Sequence, residues 1–231
     1  MSHESAYTKK LTPETKMDKV EGVLEHLNLP PKAITFIRKH NKLIISVILL
    51  FFITSVCWSF YNSYRNRIRE ESSSALSQAM QVDIKNRSEA LKKVIEKYGS
   101  TSSGQWAKIE LAHLAMKNGD FKDAAERYAL LLSSQAKDNP SYPLLLFALA
   151  QALESAKKYD EASEKYNILK DIPGYGYIAY ISLARVEEDR GNIDKAITVY
   201  NNFILSAGDD PSFSQARDEI KARIARLSAQ K

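Results

Sequence analysis

The chain has 231 residues, of which 44% are hydrophobic and 26% charged, a composition that can bury a core and argues against disorder. Its net charge of +5 divides unevenly, because residues 1–42 hold 8 Lys/Arg against 5 Asp/Glu and residues 62–231 hold 25 against 23. The larger part therefore lacks the concentrated basic face of a nucleic-acid-binding protein, and we expect no nucleic-acid partner.

The amino-terminal segment contains one candidate short helix. Met17, Val20, Leu24 and Leu27 share one helical face, and two prolines at 30–31 would end the helix. This face either docks on a partner or on the membrane surface, or it belongs to a marginal helix that frays in isolation.

A run of residues without charge follows at 43–61. As a helix it would span about 28 Å at roughly 1.5 Å per residue, which is enough to cross a bilayer once. Trp58, Tyr61 and Tyr64 stand at its far end, as in an aromatic belt. We interpret the run as a retained signal anchor, with a buried helix of a soluble protein as the alternative. The single Cys57 lies inside it and is interpreted as a small buried hydrophobe.

Flanking charges favour an amino terminus in the cytoplasm. Four basic residues precede the run and three follow it, and the side with more positive charge tends to remain inside. The basic residues are Lys32, Arg38, Lys39 and Lys42 before the run, and Arg65, Arg67 and Arg69 after it. The rest of the chain would then be periplasmic in a bacterium. The opposite topology, with the carboxy-terminal domain in the cytoplasm, stays open because the bias is small.

Three stretches of the carboxy-terminal part repeat one pattern. Equivalent alanines and tyrosines recur at separations of 38 and then 34 residues, and 34 residues is the period of stacked helical hairpins. The equivalent sets are Ala124, Ala162 and Ala196; Tyr128, Tyr166 and Tyr200; and Ala112, Ala150 and Ala184.

Each residue type has a physical role in such a hairpin. Small alanines let two helix axes approach closely, and leucines at 111, 149 and 183 fill the space beside them. The tyrosines supply large apolar bodies, and we expect their hydroxyls at a wet edge.

The turns between paired helices carry their own signals. Gly119 and Gly191 suit a left-handed residue at a helix end, and Asp120 and Asn192 follow as expected caps of the next helix. Lys157 replaces the glycine in the middle repeat, which predicts a strained or differently shaped turn.

The segment "WAKIELAHLAMKNGDFKDAAERYALLL" resembles the tetratricopeptide repeat (TPR) in its Leu–Ala pair, its Gly–Asp–aromatic turn and its Ala–x–x–x–Tyr spacing. The resemblance covers residues 104–208. Ala90 stands 34 residues before Ala124 and predicts a degenerate half-repeat, while the prolines in 134–143 predict a longer connector. A closing helix from Ser212 would cap the stack with one apolar stripe. The stripe consists of Phe213, Ala216, Ile220, Ile224 and Leu227.

The predicted fold is therefore all-α, with a single transmembrane helix followed by a TPR-like solenoid of about three to four hairpins and a capping helix. The predicted segments are a cytosolic 1–42, an anchor at 43–61, a linking helix and half-repeat at 62–103, repeats at 104–210 and a cap at 211–231.

No arrangement of residues points to catalysis. The four histidines at 3, 26, 40 and 113 are scattered, and no nucleophile motif, phosphate loop or metal-ligand spacing is present. We expect a protein that is not an enzyme, with no catalytic residues, no metal and no cofactor.

The resemblance implies that the first helix of each repeat lines an inner groove. The six positions ahead of the Leu–Ala pairs there are all apolar, which usually marks a contact site, and a polar residue follows on each helix as a rim. This predicted groove set is Trp106, Ile109, His113, Leu144, Phe147, Gln151, Ile178, Ile181 and Arg185. The alternative is a groove covered by the chain itself, either by residues 65–82 or by the carboxy-terminal helix.

In whole-chain layout, from the anchor through "YNSYRNRIREESSSALSQAMQ" into the repeats, the chain resembles the YfgM-like ancillary subunit family of the bacterial SecYEG translocon. That resemblance implies an inner-membrane protein with a periplasmic domain that associates with the translocon, periplasmic chaperones or exported polypeptides. Two alternatives are a cell-envelope or cell-division coordinator and a non-catalytic accessory subunit of an envelope enzyme complex.

Overall fold

The computed structural model describes residues 31–229. The regular elements in that range are all α-helices or 3₁₀ helices, which confirms the predicted all-α class. The α-helices are α1 (Pro31–Lys39), α2 (Asn41–Gln81), α3 (Ile84–Tyr98), α4 (Ser102–Asn118), α5 (Phe121–Ser133), α6 (Tyr142–Ser155), α7 (Tyr159–Lys170), α8 (Gly176–Asp189), α9 (Ile193–Ala207) and α10 (Ser214–Ser228). A short 3₁₀ helix, Pro211–Phe213, precedes α10. The chain divides into two units, Met1–Asn66 and Arg67–Lys231, and α2 contributes residues to both.

In the first unit, α2 presents an exposed apolar surface. Apart from the half-buried Ile44, its large apolar side chains in 43–61 are exposed, and Trp58 is 73% exposed. Among residues 31–229, α2 is the one helix whose length and composition would let it cross a membrane. This is compatible with the predicted anchor, while its orientation stays a prediction. Cys57 is exposed on the same stretch and is not buried by other protein atoms.

The predicted amino-terminal helix lies outside the described residues. Met17, Val20, Leu24 and Leu27 all precede residue 31, as do His3 and His26. The role assigned to residues 1–42 therefore stays a prediction.

The second unit is a stack of four hairpins and a terminal helix. Residues 67–81 of α2 share a buried cluster with α3 and form the leading hairpin. The first repeat consists of α4 paired with α5. The second repeat is α6 with α7, the third repeat is α8 with α9, and α10 is the capping helix. The predicted solenoid of three to four hairpins is confirmed.

Alanine lies at the centre of each repeat. The equivalent alanines of both helices are completely buried, and the neighbouring leucines are exposed by no more than 8%. Small side chains at these sites allow the two backbones to approach closely, so the predicted role of the pattern is confirmed. The residues are Ala112, Ala124, Ala150, Ala162, Ala184 and Ala196, with Leu111, Leu149 and Leu183.

The turns follow the glycine prediction but not the capping prediction. Gly119 and Gly191 have φ of 83° and 77°, and Lys157 takes the same left-handed conformation at φ 59°. Asp120 and Asn192 stand at the cap positions, yet neither side chain accepts a capping hydrogen bond. Their backbones have ψ near 60° instead of the extended conformation that capping requires, so the expectation that they act as caps is wrong.

The leading hairpin is more complete than the predicted half-repeat. Residues 67–81 supply its first helix, and α3 begins 37 residues before α5 instead of 34. The seventh residue after each second-helix start is a tyrosine in the three repeats but Leu91 in the leading hairpin. Leu91 is completely buried, so it fills the tyrosine site, whereas Ala90 is half-buried beside it.

The long connector and the capping helix both agree with the sequence prediction. The connector before the second repeat occupies residues 134–141, where Asn139 Oδ1 accepts hydrogen bonds from the Ser141 amide and hydroxyl. In the capping helix Ile220 and Leu227 are buried against the third repeat, with Phe213, Ala216 and Ile224 packed around them. The predicted apolar stripe is confirmed.

We expect Lys157→Gly to stabilise the protein. Glycine removes the steric cost of a left-handed residue, so the free energy of unfolding should rise by about 1 kcal/mol in urea denaturation. Lys158→Gly is the control, since Lys158 has φ −88° and should gain nothing. Equal effects of the two substitutions would contradict the strain at Lys157.

Candidate protein-binding groove

The apolar members of the groove set are unequally exposed. Trp106 is 57% exposed and Leu144 is 59% exposed, although both are large and apolar. They occupy equivalent positions on α4 and α6, 38 residues apart. The other four members, Ile109, Phe147, Ile178 and Ile181, are half-buried and pack against the core.

Phe147 illustrates the difference. Its ring lies 6.1 Å from the ring of Tyr166, centroid to centroid, so part of its apolar surface is already covered within the second repeat. The continuous apolar row that the sequence predicts is therefore concentrated at Trp106 and Leu144. Spacing along a helix identifies a face, but it does not reveal how deeply each side chain on that face is packed.

The segments proposed to cover the groove lie at the ends of the stack. Residues 67–81 pack on Ala107, Leu111 and Leu114 of α4, and the capping helix packs on the third repeat through Ile220 and Leu227. Trp106 and Leu144 remain more than half exposed with both segments in place. Self-covering therefore does not extend to these two side chains.

The three polar rim residues have different surroundings. His113 is exposed, with Nδ1 at 3.6 Å from Glu110 Oε1, and Gln151 is half-buried. Arg185 is already bound, because its guanidinium forms a bidentate ion pair with the carboxylate of Glu154. Arg185 was expected to contact a ligand at the rim of the groove, but its guanidinium already joins the second and third repeats.

Glu154 and Arg185 belong to a polar cluster that we call the staple. Glu154 is 9% exposed, and its Oε2 accepts hydrogen bonds from the Tyr166 hydroxyl at 2.6 Å and from Arg185 Nη2 at 2.8 Å. Tyr166 and Glu154 belong to the second repeat, whereas Arg185 comes from the third. A charged hydrogen-bond network with its donors and acceptors matched fixes the geometry of two elements more tightly than apolar contact does.

A second staple joins the third repeat to the capping helix. The Tyr200 hydroxyl donates to Glu188 Oε1 at 2.7 Å, and Arg223 Nε lies 3.4 Å from the same oxygen. The guanidinium of Arg223 also lies over the Tyr200 ring, 5.8 Å from its centroid. The same chemistry thus recurs one repeat further along the stack.

The first repeat lacks this cluster. The position that holds Glu154 and Glu188 is Met116 in the first repeat, and the position that holds Arg185 is Gln151 in the second. Each carboxylate position lies five residues before its second helix, so the assignment follows from the helix starts. No hydrogen bond or ion pair among residues 31–229 takes the place of the staple here.

The rings of all three repeat tyrosines are buried, and two of the three hydroxyls are not at the expected wet edge, because Tyr166 and Tyr200 donate to Glu154 and Glu188. Tyr128, Tyr166 and Tyr200 are exposed by 1% or less because the following repeat or cap covers their rings. Burial raises the pKa of Tyr128 to about 12, with a smaller contribution from Glu110. Burial also raises the pKa of Tyr166 and Tyr200 further, and their hydrogen bonds to Glu154 and Glu188 add to this.

The sequence analysis does not predict the roles of Glu154 and Glu188, although their spacing from the repeat tyrosines indicates them. A glutamate precedes the tyrosine by twelve residues in the second and third repeats, but a methionine does so in the first. Reading the glutamate together with the arginine of the next element would have identified the cluster.

Comparison with known proteins agrees with the fold. The profile of the tetratricopeptide repeat-like domain family matches residues 35–171. No curated protein sequence matches the chain.

Three solved structures resemble the chain at low identity and with TM-scores below 0.5. A Podosopora anserina protein with nearly identical TPR-like repeats, described as a kinesin light chain, is 16% identical with a TM-score of 0.48, over 71% of this chain and 95% of that one. The Yersinia enterocolitica type III secretion chaperone SycD, bound to a peptide of the translocator YopD, is 14% identical with a TM-score of 0.44, over 56% and 96%. MamA is 19% identical with a TM-score of 0.45, over 64% and 88%. The likeness at these identities concerns the fold alone.

We expect Arg185→Gln to destabilise the protein because it leaves the Glu154 carboxylate buried without its cation. The free energy of unfolding should fall by about 2 kcal/mol in urea denaturation. Adding Glu154→Met gives the pair of residues that stands at the equivalent positions of the first and second repeats, Met116 and Gln151. This double substitution should recover most of the lost free energy of unfolding. Arg127→Gln is the control, since the Arg127–Asp123 pair is exposed and should contribute less than about 0.5 kcal/mol. A loss no greater than that of the control would contradict the staple.

The raised tyrosine pKa values predict sensitivity to alkali. The folded pKa exceeds the unfolded value of about 10, so the stability is complete below about pH 10 and falls as pH rises towards the folded pKa. Tyr128→Phe should flatten this fall, because it removes one buried ionisation and no hydrogen bond. Urea denaturation between neutral and alkaline pH, with phenolate absorbance, measures both effects. Titration of Tyr128 together with the exposed tyrosines would contradict the prediction.

Proposed function

Because this chain belongs to the tetratricopeptide repeat-like domain family, we propose that it is a scaffold whose groove binds a partner protein. One observation carries the proposal. Trp106 and Leu144 occupy equivalent positions on adjacent first helices, and each keeps more than half of its surface exposed. Large apolar side chains left exposed in register on one face are typical of a contact site.

The energetics fit a binding site of modest strength. Burying one such side chain contributes about 1.5–3 kcal/mol, so two of them alone give weak binding once the cost of association is subtracted. A membrane anchor would compensate, because it holds the groove close to partners in the same membrane and raises their effective concentration.

We place the scaffold in the bacterial inner membrane as a single-pass protein, with residues 43–61 as the anchor. The exposed apolar surface of α2 in this range supports that assignment, and the match to the family includes the same residues. The four-to-three bias of flanking basic residues favours a cytoplasmic amino terminus and periplasmic repeats.

The partners we propose are the SecYEG translocon, periplasmic chaperones and exported polypeptides. The proposal rests on the chain layout that resembles the YfgM-like family and on a groove suited to apolar segments. The absence of catalysis, metal and cofactor stays a prediction.

Photocrosslinking in cells tests this function. We place a photoreactive side chain at Leu144 and, as a matched control, at Leu205, a leucine of α9 that is 79% exposed. Adducts are identified by mass spectrometry. We expect translocon subunits, periplasmic chaperones or exported chains from position 144 and not from position 205, because only the former lies in the groove set.

Three results would contradict the proposal. Identical adducts from the two positions would remove the specificity of the groove. Adducts confined to residues 67–81 or 214–228 of the same chain would mean that the groove is filled internally. Cytoplasmic partners would support the groove but overturn its periplasmic location.

A further inference from the structure

A cavity lies where the leading hairpin meets the first repeat, and it shares no residue with the groove set. Its lining comes from α3, from α4, and from α5 with the residue that follows it, all within the second unit. The cavity has a volume of about 350 Å³, at the lower end of the range of roughly 300–1,000 Å³ that is typical of ligand sites. It is therefore large enough for one or two side chains of a ligand, but not for a folded element.

The sequence explains why this space is open in the first repeat. Two residues of the lining, Lys108 and Ser134, stand 38 residues before Leu146 and Ile172. Leu146 is completely buried and Ile172 packs against the same core, so the second repeat fills these two positions with apolar side chains. The charge of a lysine opposes such burial, and a serine is too small to replace an isoleucine. The first repeat therefore keeps open a space that the second repeat fills.

Four apolar side chains line the cavity. Leu111 and Leu131 belong to the core and are 5% and 4% exposed, and Ile95 is half-buried beside them. Leu130 also lines the cavity, yet it is 72% exposed. Covering these side chains would remove apolar surface from water, which favours a ligand with a large apolar group that also extends over Leu130.

The charged side chains of the lining are both cationic. Lys108 Nζ donates to the carbonyl oxygen of Gly99 at 3.2 Å, and Gln105 Nε2 donates to the same oxygen at 3.3 Å. These hydrogen bonds hold the ammonium group in place but leave its charge unpaired. Among residues 31–229, no carboxylate forms an ion pair with Lys108 and no acidic residue lines the cavity.

The surroundings of Lys108 favour an anionic group on the ligand. The second cation of the lining, Arg127, already pairs with Asp123, whereas a carboxylate could reach Lys108 without displacing another carboxylate. Lys108 is half-buried, so salt would screen this ion pair less than a pair on the open surface.

We propose that this cavity is a second binding site, which accepts a large apolar side chain of a polypeptide while an adjacent Asp or Glu of that polypeptide pairs with Lys108. The occupant is a polypeptide and not a small amphiphile, because its neighbouring residues can cover the exposed Leu130. The site goes beyond the proposed groove and does not depend on it, so the scaffold has two separate contacts for its partners.

Filling the cavity tests the proposal. Lys108→Leu with Ser134→Ile installs the residues of the second repeat and removes both the space and the charge. Lys108→Met removes the charge and keeps an unbranched apolar chain. Leu205→Ala is the control, since Leu205 is 79% exposed on α9 and far along the chain from the cavity.

The full chain is held in phosphatidylcholine nanodiscs, and binding is measured by fluorescence anisotropy. One probe is the fluorescent, end-blocked peptide Gly-Ser-Leu-Glu-Leu-Ser-Gly. The other probe has Gln in place of Glu, so the two differ only in the carboxylate.

We expect the wild-type chain to bind the Glu peptide about tenfold more tightly than the Gln peptide, with a smaller difference at high salt. Lys108→Met should bind the two peptides equally, with about the wild-type affinity for the Gln peptide. The filled variant should unfold at higher temperature and bind both peptides about tenfold more weakly than the wild type binds the Gln peptide. Leu205→Ala should match the wild type in each measurement.

Several outcomes would overturn the inference and leave the proposed groove function standing. They are no binding of either peptide, equal binding of the two peptides by the wild type, undiminished binding by a filled variant that unfolds at higher temperature, and loss of binding on Trp106→Ala alone. If the filled variant unfolds at lower temperature than the wild type, Lys108→Met and the pair of peptides decide.

Calorimetry with octanoate tests the other occupant. Octanoate binding that the filled variant loses, together with no binding of either peptide, would assign the cavity to a small amphiphile and overturn the polypeptide as its ligand. Crosslinks from position 144 report on the groove alone, so their absence would overturn the proposed function and not this site.

Discussion

The close approach of paired helices at buried alanine is the constraint on which the rest of the second unit depends. Ala112 and Ala124, with their equivalents in the next two repeats, have no exposed surface, so a larger side chain there would push the helices apart. Close pairing directs the tyrosine of each second helix towards the following element. It also leaves Trp106 and Leu144, on the first helices of the first and second repeats, largely outside the core.

The staples add directional polar contacts to some junctions of the stack and not to others. Burying Glu154 would be unfavourable on its own, yet Tyr166 and Arg185 satisfy both of its oxygens. The first repeat avoids that cost with Met116, and it also loses the directional contact. A single stack thus combines a polar, well-defined part with a part held by apolar packing, and the exposed groove residues adjoin the latter.

Residues whose role is set by their own backbone or size were predictable from the sequence. The left-handed glycines, the strained Lys157, the buried alanines and the apolar stripe of the capping helix are of this kind. Other features depend on partners that are distant in the chain. Arg185 meets Glu154 from 31 residues away, and Leu91 takes the tyrosine site because α3 begins three residues earlier than the 34-residue period implies. Periodicity detects equivalent positions, but it does not identify which side chain meets which across two elements, or how much of it stays exposed.

The staples also give the array a polarity that constrains how it could have evolved. Each carboxylate obtains its cation from the element that follows it, so a duplication or exchange of modules that removed the third repeat would leave Glu154 without a counterion. Loss of the capping helix would do the same to Glu188. In the part of the chain that the structure describes, the leading hairpin and the first repeat have no carboxylate that takes its cation from the next element. Removal of a module before the second repeat would leave neither glutamate without its cation, whereas removal of the third repeat or of the capping helix would.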